Sequence, residues 1–221
     1  MHLSRLAPNL ISPDVLRDLA DLQQVHRRVM EGFGDAEGPG RLAHGVLWRW
    51  DADPGRPPVL YVQSETPPDW SRLPAGYLAE QARTRDLSEI RDILHAGRRF
   101  SFRLVASATR SIPSERISAT DRPRGKRVPI GDPEGQLQWL DQQGERHGFL
   151  IEKSGSGRAD IRVNTLPRGS GRRAKGQVTV TPVRFEGRLA ITDPDAFWAA
   201  FTTGIGRAKA YGCGLLTLAR P

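Results

Sequence analysis

The chain has 221 residues, and its 33 basic and 25 acidic side chains give a formal net charge of +8. That length fits one compact domain or two small ones, and 38% hydrophobic with 26% charged residues excludes a disordered or fibrous chain. No apolar run approaches the roughly 18 residues of a membrane-spanning helix, and the first residues predict no secretory signal. Cys213 is the single cysteine, which excludes an intrachain disulfide and predicts a reducing, cytoplasmic location.

The positive charge is concentrated in two blocks. Residues 1–96 carry a net charge of −3 and residues 128–152 a net charge of −4, whereas residues 97–127 and 153–188 carry +7 each. Of the 33 basic residues 29 are arginine, whose planar fork of donors suits phosphates and guanine edges. A GC-rich genome would explain the arginine usage equally well, but it explains the segregation into blocks less well. The pattern therefore predicts a nucleic-acid partner and disfavours a membrane surface, since no basic amphipathic helix is evident.

A helix is the first strong element. Segment 12–14 offers a capping serine, a proline suited to the first helical position and an early aspartate. Apolar residues then recur at helical spacing from Val15 to Phe33, and the glycines from Gly32 onward end the helix. On a helical wheel His26 lies near the centre of this apolar stripe. The spacing predicts one continuous helix through this segment.

Alternating apolar residues predict most of the other elements. In the first half these are an opening strand before the helix, strands at 46–50 and 59–62, a loop at 64–76, and a segment at 77–97 that fits either a strand or a short helix.

The second half begins with a strand, and its last helix starts at Asp193. In chain order the pattern predicts a strand at 100–106, a basic loop at 114–129, a helix at 133–146, a hairpin at 149–166, a basic loop at 168–176, a strand at 177–191 interrupted at Pro182, the last helix, and a strand at 215–218. This order fits two βαββαβ units in tandem. The predicted fold is α+β, with two ferredoxin-like (RRM-like) domains at 1–96 and 97–221.

Few residues offer recognisable chemistry. The five histidines lack metal-ligand spacing, and no Walker or GxSxG motif is present, so neither a metal nor a cofactor is expected. For His26 a buried, hydrogen-bonded core histidine is the favoured interpretation from the residues alone. The alternative is an acid or base beside a ligand groove, with Gln23 and Arg27 orienting a substrate phosphate.

The C-terminal sequence GIGRAKAYGCG (204–214) is the second candidate site. Glycines let backbone amides approach a phosphate closely, and adjacent cations would neutralise it. A pair of tight turns explains the same glycines without any ligand. The residues concerned are Gly204, Gly206, Arg207, Lys209, Gly212 and Gly214.

These segments together resemble the CasE family, the CRISPR-RNA endoribonucleases of type I-E (Cascade) systems. The shared motifs are LQQVHRRV (22–29), RRFSFRL (98–104), KRVPIGDPEGQLQWL (126–140), RFEGRLAITDP (184–194) and GIGRAKAYGCGLL (204–216). The resemblance implies a tandem ferredoxin-like enzyme that cleaves the repeat hairpin of CRISPR precursor RNA without a metal. It implies attack of a ribose 2′-OH, giving a 2′,3′-cyclic phosphate and a 5′-OH, retention of the product, and assembly with the other subunits of the surveillance complex.

The family's catalytic histidine sits in the first helix and corresponds to His26. Gln23 and Lys209 are the further candidates for the catalytic site. The RNA stem is expected to lie on the basic hairpin and loops. The residues expected to contact RNA are Arg27, Arg124, Lys126, Arg127, Arg158, Arg162, Arg168, Arg172, Arg173, Lys175 and Arg207, with the four glycines of the C-terminal sequence.

Two positions depart from the family's pattern. Some members carry a tyrosine one turn before the histidine, where this chain has Gln23, which cannot donate a proton in the same way. The family's FRLRANP reads FRLVASA here (102–108). A single-histidine ribonuclease with charge stabilisation by Lys209 and Arg27 remains chemically coherent. The alternative is a non-catalytic RNA-hairpin-binding subunit, and a metabolic ferredoxin-like enzyme ranks third because no cofactor motif supports it.

Overall fold

A computed structural model describes residues 1–34, 40–112, 125–155, 157–173 and 176–221, without the side chain of Arg173. The strands are β1 His2–Leu6, β2 Leu47–Asp51, β3 Val59–Ser64, β4 Arg83–Asp86, β5 Arg99–Ala106, β6 Thr109–Ile112, β7 Lys126–Pro129, β8 Phe149–Ile151, β9 Ile161–Thr165, β10 Gly169–Arg173, β11 Gly176–Val180, β12 Val183–Ile191 and β13 Leu216–Ala219. The α-helices are α1 Pro13–Leu19, α2 Leu22–Glu31, α3 Gly40–Ala43, α4 Pro133–His147 and α5 Pro194–Thr203. Short 3-10 helices span Trp70–Arg72, Ser88–Ile93 and Lys209–Tyr211. Within these ranges no helix is both long and apolar enough to cross a membrane.

Two antiparallel sheets confirm the predicted α+β, tandem ferredoxin-like fold. The first has the strand order β2-β3-β1-β4 and the second the order β13-β5-β12-β8, so each places its first and third strands at the centre. In the second sheet α4 and α5 make the two helical connections. In the first sheet, residues 65–82 hold only the 3-10 helix Trp70–Arg72 where the second helix of a βαββαβ unit would lie.

The long first helix predicted from the sequence is wrong in one respect, because the chain forms two helices there. Asp21 leaves the helical region at φ −146°, and its side chain accepts a hydrogen bond from the backbone of Gln23, so it caps a new helix. Ser12 occupies the N-cap position of α1 without a capping hydrogen bond from its side chain, while Pro13 takes the first helical position as predicted. In α1, Val15 is buried and Leu16 is more than half exposed.

Two predictions for the second half also need correction. The predicted hairpin at 149–166 does not form as such, because β8 and β9 both pair with β12, one after the other. Among the described residues, the two arms join through the bridge between Lys153 and Ala159, next to the predicted turn, with backbone hydrogen bonds from Ser154 to Arg158 and from Asp160 to Glu152. The predicted basic loop at 168–176 is instead a hairpin, with β10 paired to β11.

The remaining predicted elements of the second half are present. The strand predicted at 177–191 is interrupted between β11 and β12, next to Pro182, as the change of periodicity indicated. Of the basic loop predicted at 114–129, residues 126–129 form β7, which pairs with β6, and residues 113–124 lie outside the described ranges. The segment at 77–97 contains both of the alternatives considered, a strand and a 3-10 helix.

The domain boundary near residue 96 stays a prediction. One core lies between α2 and the first sheet and includes Val25, Val29 and Trp48. A second, larger core lies under the second sheet, and Ile90 and Leu94 from the segment before the predicted boundary pack into it.

A buried arginine joins the two sheets. Arg49 in β2 is only 2% exposed, and its guanidinium holds both carboxylate oxygens of Asp51 at 2.8 and 2.9 Å. Its third nitrogen donates to the backbone carbonyls of Arg103 and Leu215 at 3.1 and 3.2 Å. These acceptors belong to the second sheet and its approach, so one side chain fixes the first sheet against the second. Removing one partner of such a buried pair typically costs about 3–5 kcal/mol.

Candidate active site

Helix α2 carries the candidate catalytic histidine at the edge of its apolar face. Val25 and Val29 take the buried centre of that face, while His26 and Gln23 are half-buried and Arg27 is exposed. The prediction that His26 lies near the centre of the apolar stripe is therefore wrong. The helix breaks before α2, and in the separate helix α2 the residues that face the core are Val25 and Val29. Gln23 and His26 are three residues apart and lie on the same side of the helix.

The basic hairpin β10–β11 is attached to the first turn of this helix. The carboxylate of Asp21 accepts the backbone N–H of Gln23 at 2.8 Å and that of Arg172 at 3.3 Å. Gly169 and Gly171 make the close approach feasible. A Cβ at Gly169 would lie 2.5 Å from a methyl carbon of Leu22, and one at Gly171 would lie 3.2 Å from the backbone nitrogen of Gln23. The arginine-bearing hairpin and the histidine-bearing helix thus form one surface.

A tyrosine that the sequence analysis did not single out also reaches this surface. The hydroxyl of Tyr211 donates to Oε1 of Gln23 at 3.3 Å. The Tyr211 ring is 5% exposed and packs in a small core with Val105, Val180 and Cys213. Burial raises the pKa of the Cys213 thiol to about 12, so this cysteine stays protonated and serves as packing.

The glycines of the C-terminal sequence serve backbone geometry and packing. Gly204, Gly206, Gly212 and Gly214 all have φ between +78° and +96°, which a residue with a side chain adopts only at a cost. The N–H of Gly204 donates to the carbonyl of Ala200 at 2.8 Å, and that of Gly214 to the carbonyl of Val105 at 2.7 Å. These two amides are engaged within the protein, which agrees with the tight-turn interpretation at both positions.

Lys209 lies in the same loop but near other cations. It is half-buried, and burial and the charge of Arg41 lower its pKa. The pKa of His147 is lowered by burial and by the charges of Lys209 and Arg146. The positive potential here would be relieved by an anion. Tyr211, two residues after Lys209 in the same turn, is the residue that donates a hydrogen bond to Gln23 on α2.

The basic residues divide into two kinds by their partners. Arg103 and Arg184 bind Asp53 at 3.0 and 2.5 Å, and although burial alone would raise the pKa of that carboxyl, both arginines lower it. The predicted RNA contacts are different, being exposed and, among the described residues, free of any carboxylate within ion-pair distance. They are Arg27, Lys126, Arg127, Arg158, Arg162, Arg168, Arg172 and Arg207.

These exposed cations are spread over several elements. Arg172 lies on β10 of the hairpin packed on α2, and Arg168 immediately precedes that strand, whereas Arg162 lies on β9 at the edge of the second sheet. Arg158 precedes β9, and Lys126 and Arg127 lie on β7. The backbone of Arg207 forms an isolated antiparallel β-bridge with Ser107. Arg124, Lys175 and the side chain of Arg173 lie outside the described residues. Within the described ranges, no group of three or more His, Cys, Asp or Glu side chains could hold a metal ion.

Comparison with known proteins identifies the family. A family model described as CRISPR associated protein matches residues 1–220. The CRISPR-associated endoribonuclease Cse3 of Thermus thermophilus is 34% identical over 225 residues, which cover 99% of this chain and 100% of the relative. The chain belongs to the CasE (Cse3) family of CRISPR-associated proteins.

Solved structures agree with this membership. A CRISPR endoribonuclease Cse3 bound to a 19-nucleotide RNA has a TM-score of 0.81 and 32% identity, covering 99% of this chain and all of the other. A chain of a CRISPR RNA-guided surveillance complex has a TM-score of 0.62 and 25% identity, with both chains fully covered. In this CasE chain, the candidate site brings together Gln23, His26, Tyr211 and the hairpin around Arg172. Asp21 could have been recognised in the sequence as a helix cap, but nothing local indicates that Tyr211 would meet Gln23.

The close packing of the hairpin on α2 predicts that Gly171→Ala lowers the free energy of unfolding by about 1–3 kcal/mol. The added Cβ would lie 2.8 Å from Cε1 of the buried Tyr211 ring, and the nearby backbone of α2 cannot yield. Denaturant unfolding would measure the loss. Gly131→Ala is the matched control, because its Cβ meets nothing within 4 Å. Equal stability of the two variants would contradict the close packing of the hairpin against Tyr211 and α2.

Proposed function

We propose that this chain is a metal-independent endoribonuclease that binds and cleaves the repeat hairpin of CRISPR precursor RNA. The observation that carries the proposal is the position of His26, on the helix to which the basic hairpin is attached through Asp21. A relative 34% identical over its whole length is named an endoribonuclease, and a related Cse3 structure holds a bound RNA.

The proposed reaction is an internal transesterification. The 2′-oxygen loses its proton and bonds to the adjacent phosphorus, the bond from phosphorus to the 5′-oxygen breaks, and the leaving oxygen gains a proton. The products are a 2′,3′-cyclic phosphate and a 5′-OH. His26 carries one of the two protons, as base or as acid, because a ring nitrogen of an imidazole can accept or donate a proton. Positive charge from Arg27 and Lys209 and a donor at Gln23 would stabilise the phosphorane.

RNA binding is assigned to the exposed cations that have no carboxylate partner in the part of the chain that the structure describes. A basic residue whose charge is already neutralised by a carboxylate gains less from a phosphate than one that meets only water. The proposed contacts are therefore those named above on α2 and β7, on or just before β9 and β10, and on the C-terminal loop. The family resemblance adds Arg124, Arg173 and Lys175. A hairpin lying across these elements would be held by its backbone and its shape, as is usual for RNA stems.

We further propose that the chain keeps its product and joins the subunits of an RNA-guided complex in the cytoplasm. The likeness to a chain of a CRISPR RNA-guided surveillance complex supports the partners. A lone, buried, protonated thiol at Cys213 suits a reducing compartment.

His26→Ala is expected to slow cleavage of a cognate repeat hairpin in EDTA by at least about 100-fold, since acid–base catalysis contributes that much. Binding, measured by gel shift, should stay within about twofold, because the arginines are untouched. His95→Ala is the control, an exposed histidine outside the site. A wild-type chain that binds the hairpin without cutting it would instead identify a non-catalytic RNA-binding subunit, with Gln23 marking the loss.

The double variant Arg158→Ala/Arg162→Ala should weaken hairpin binding and reduce the slope of log K against log salt by about 1 for each lost phosphate contact. Fluorescence anisotropy over a salt series measures both quantities. Arg85→Ala, which removes an exposed arginine from β4, is the matched control. An unchanged slope in the double variant would remove these two residues from the RNA-binding surface.

A further inference from the structure

The hydrogen bond between Tyr211 and Gln23 joins the C-terminal loop to the catalytic helix across 188 positions of the chain. It lies on the side of α2 that carries His26, one turn away. Gln23 also stands where some relatives have a tyrosine, so its neighbours bear on how this chain cleaves RNA.

Tyr211 is held in place from several directions. Its backbone N–H donates to the carbonyl of Ala208 at 2.8 Å, and the turn is framed by left-handed residues at Ala208 and Gly212. Its ring packs against Gly171 of the hairpin and beside the buried Cys213. A ring confined in this way presents its hydroxyl at a fixed position, which a flexible surface side chain would not do.

The hydrogen bond from Tyr211 fixes the orientation of the Gln23 side-chain amide. A glutamine amide accepts at its oxygen and donates through two N–H groups at its nitrogen, which points the other way. Because Oε1 of Gln23 accepts the hydrogen bond from the Tyr211 hydroxyl, Nε2 of Gln23 is directed away from Tyr211. A glutamine cannot supply a proton for the reaction, but its N–H can stabilise negative charge. One such donor aimed at a developing oxyanion is worth about 100-fold to 1,000-fold in rate.

We infer that Tyr211 is a positioning residue, whose hydroxyl fixes the Gln23 amide so that its N–H donates to a non-bridging oxygen of the scissile phosphate beside His26. This inference rests on the proposed ribonuclease function. Gln23 acts here as a donor to the transition state and not as a proton-transfer group. The hydrogen bond between Tyr211 and Gln23 therefore depends on the C-terminal loop, on α2 and on the hairpin β10–β11, which packs on the Tyr211 ring.

The test compares single-turnover cleavage rates at saturating protein for wild type, Tyr211→Phe, Gln23→Leu and the double variant. Tyr211→Phe keeps the ring and should slow cleavage about fivefold, the value of one oriented hydrogen bond. Gln23→Leu should slow it about 100-fold. The double variant should be no slower than Gln23→Leu alone, because the hydroxyl acts only through the amide. Affinity for a non-cleavable 2′-deoxy hairpin should not change.

A phosphorothioate at the scissile position gives a readout that a purely structural role would not move. Sulfur is a poor acceptor, so replacing the contacted non-bridging oxygen should slow wild type, and this sensitivity should shrink in both single variants. Tyr61→Phe, at a tyrosine on β3, is the control and should keep the wild-type rate and sulfur sensitivity.

Three results would overturn the inference. They are a wild-type rate in Tyr211→Phe, additive losses in the double variant, or full sulfur sensitivity in Gln23→Leu. Each leaves the ribonuclease function standing, since wild type still cleaves. A wild-type chain that fails to cleave would contradict the proposed function itself, and the inference with it.

Discussion

The carboxylate of Asp21 accepts backbone N–H groups from both Gln23 and Arg172, and so ties the first turn of α2 to the hairpin β10–β11. Together with the packing of Gly169 on Leu22 and of Gly171 on Tyr211, this tie holds the cations of the hairpin beside the helix that carries His26. A helix start has unpaired amides that need an acceptor, and here the acceptor is shared with a second element. The residue that caps α2 therefore also holds the two elements of the candidate site together.

Charge has two uses in this chain, and net charge alone does not separate them. Arg49 and Arg103 are paired with Asp51 and lock the two sheets together. Arg158 and Arg162, in contrast, are exposed and lack a carboxylate partner among the described residues. The same sequence block that contains these two also contains Arg184, which is paired with Asp53. Part of the +7 charge of that block is thus neutralised locally, and the rest is left for a polyanion.

The sequence was sufficient for the tandem fold and for the strands that form its two main sheets, because periodicity within each element reports which face is buried. It failed where the outcome depends on pairing at a distance. Local alternation cannot tell whether β8 and β9 pair with each other or both with β12. The hairpin at β10 was predicted as a loop, since glycine and arginine have little intrinsic preference for strands, and its close approach to Leu22 and Tyr211 involves residues far away in the chain.

The candidate site was predictable to a similar degree. His26 could be selected from its helix and from the family resemblance, and its role remains a prediction. Its position at the border of the apolar face depends on the helix break at Asp21, which the continuous apolar spacing concealed. Tyr211 could not be found from the sequence, because its contact with Gln23 forms only when the ends of the chain come together.

The most direct test of this account is an experimental structure of the chain bound to a repeat hairpin with a 2′-deoxyribose at the cleavage position. The account predicts the scissile phosphate within hydrogen-bond distance, about 3 Å, of both His26 and the Gln23 amide, with the stem against the hairpin β10–β11 and β9. A hairpin bound elsewhere, with its scissile phosphate remote from α2, would contradict the assignment of this helix as the site of cleavage.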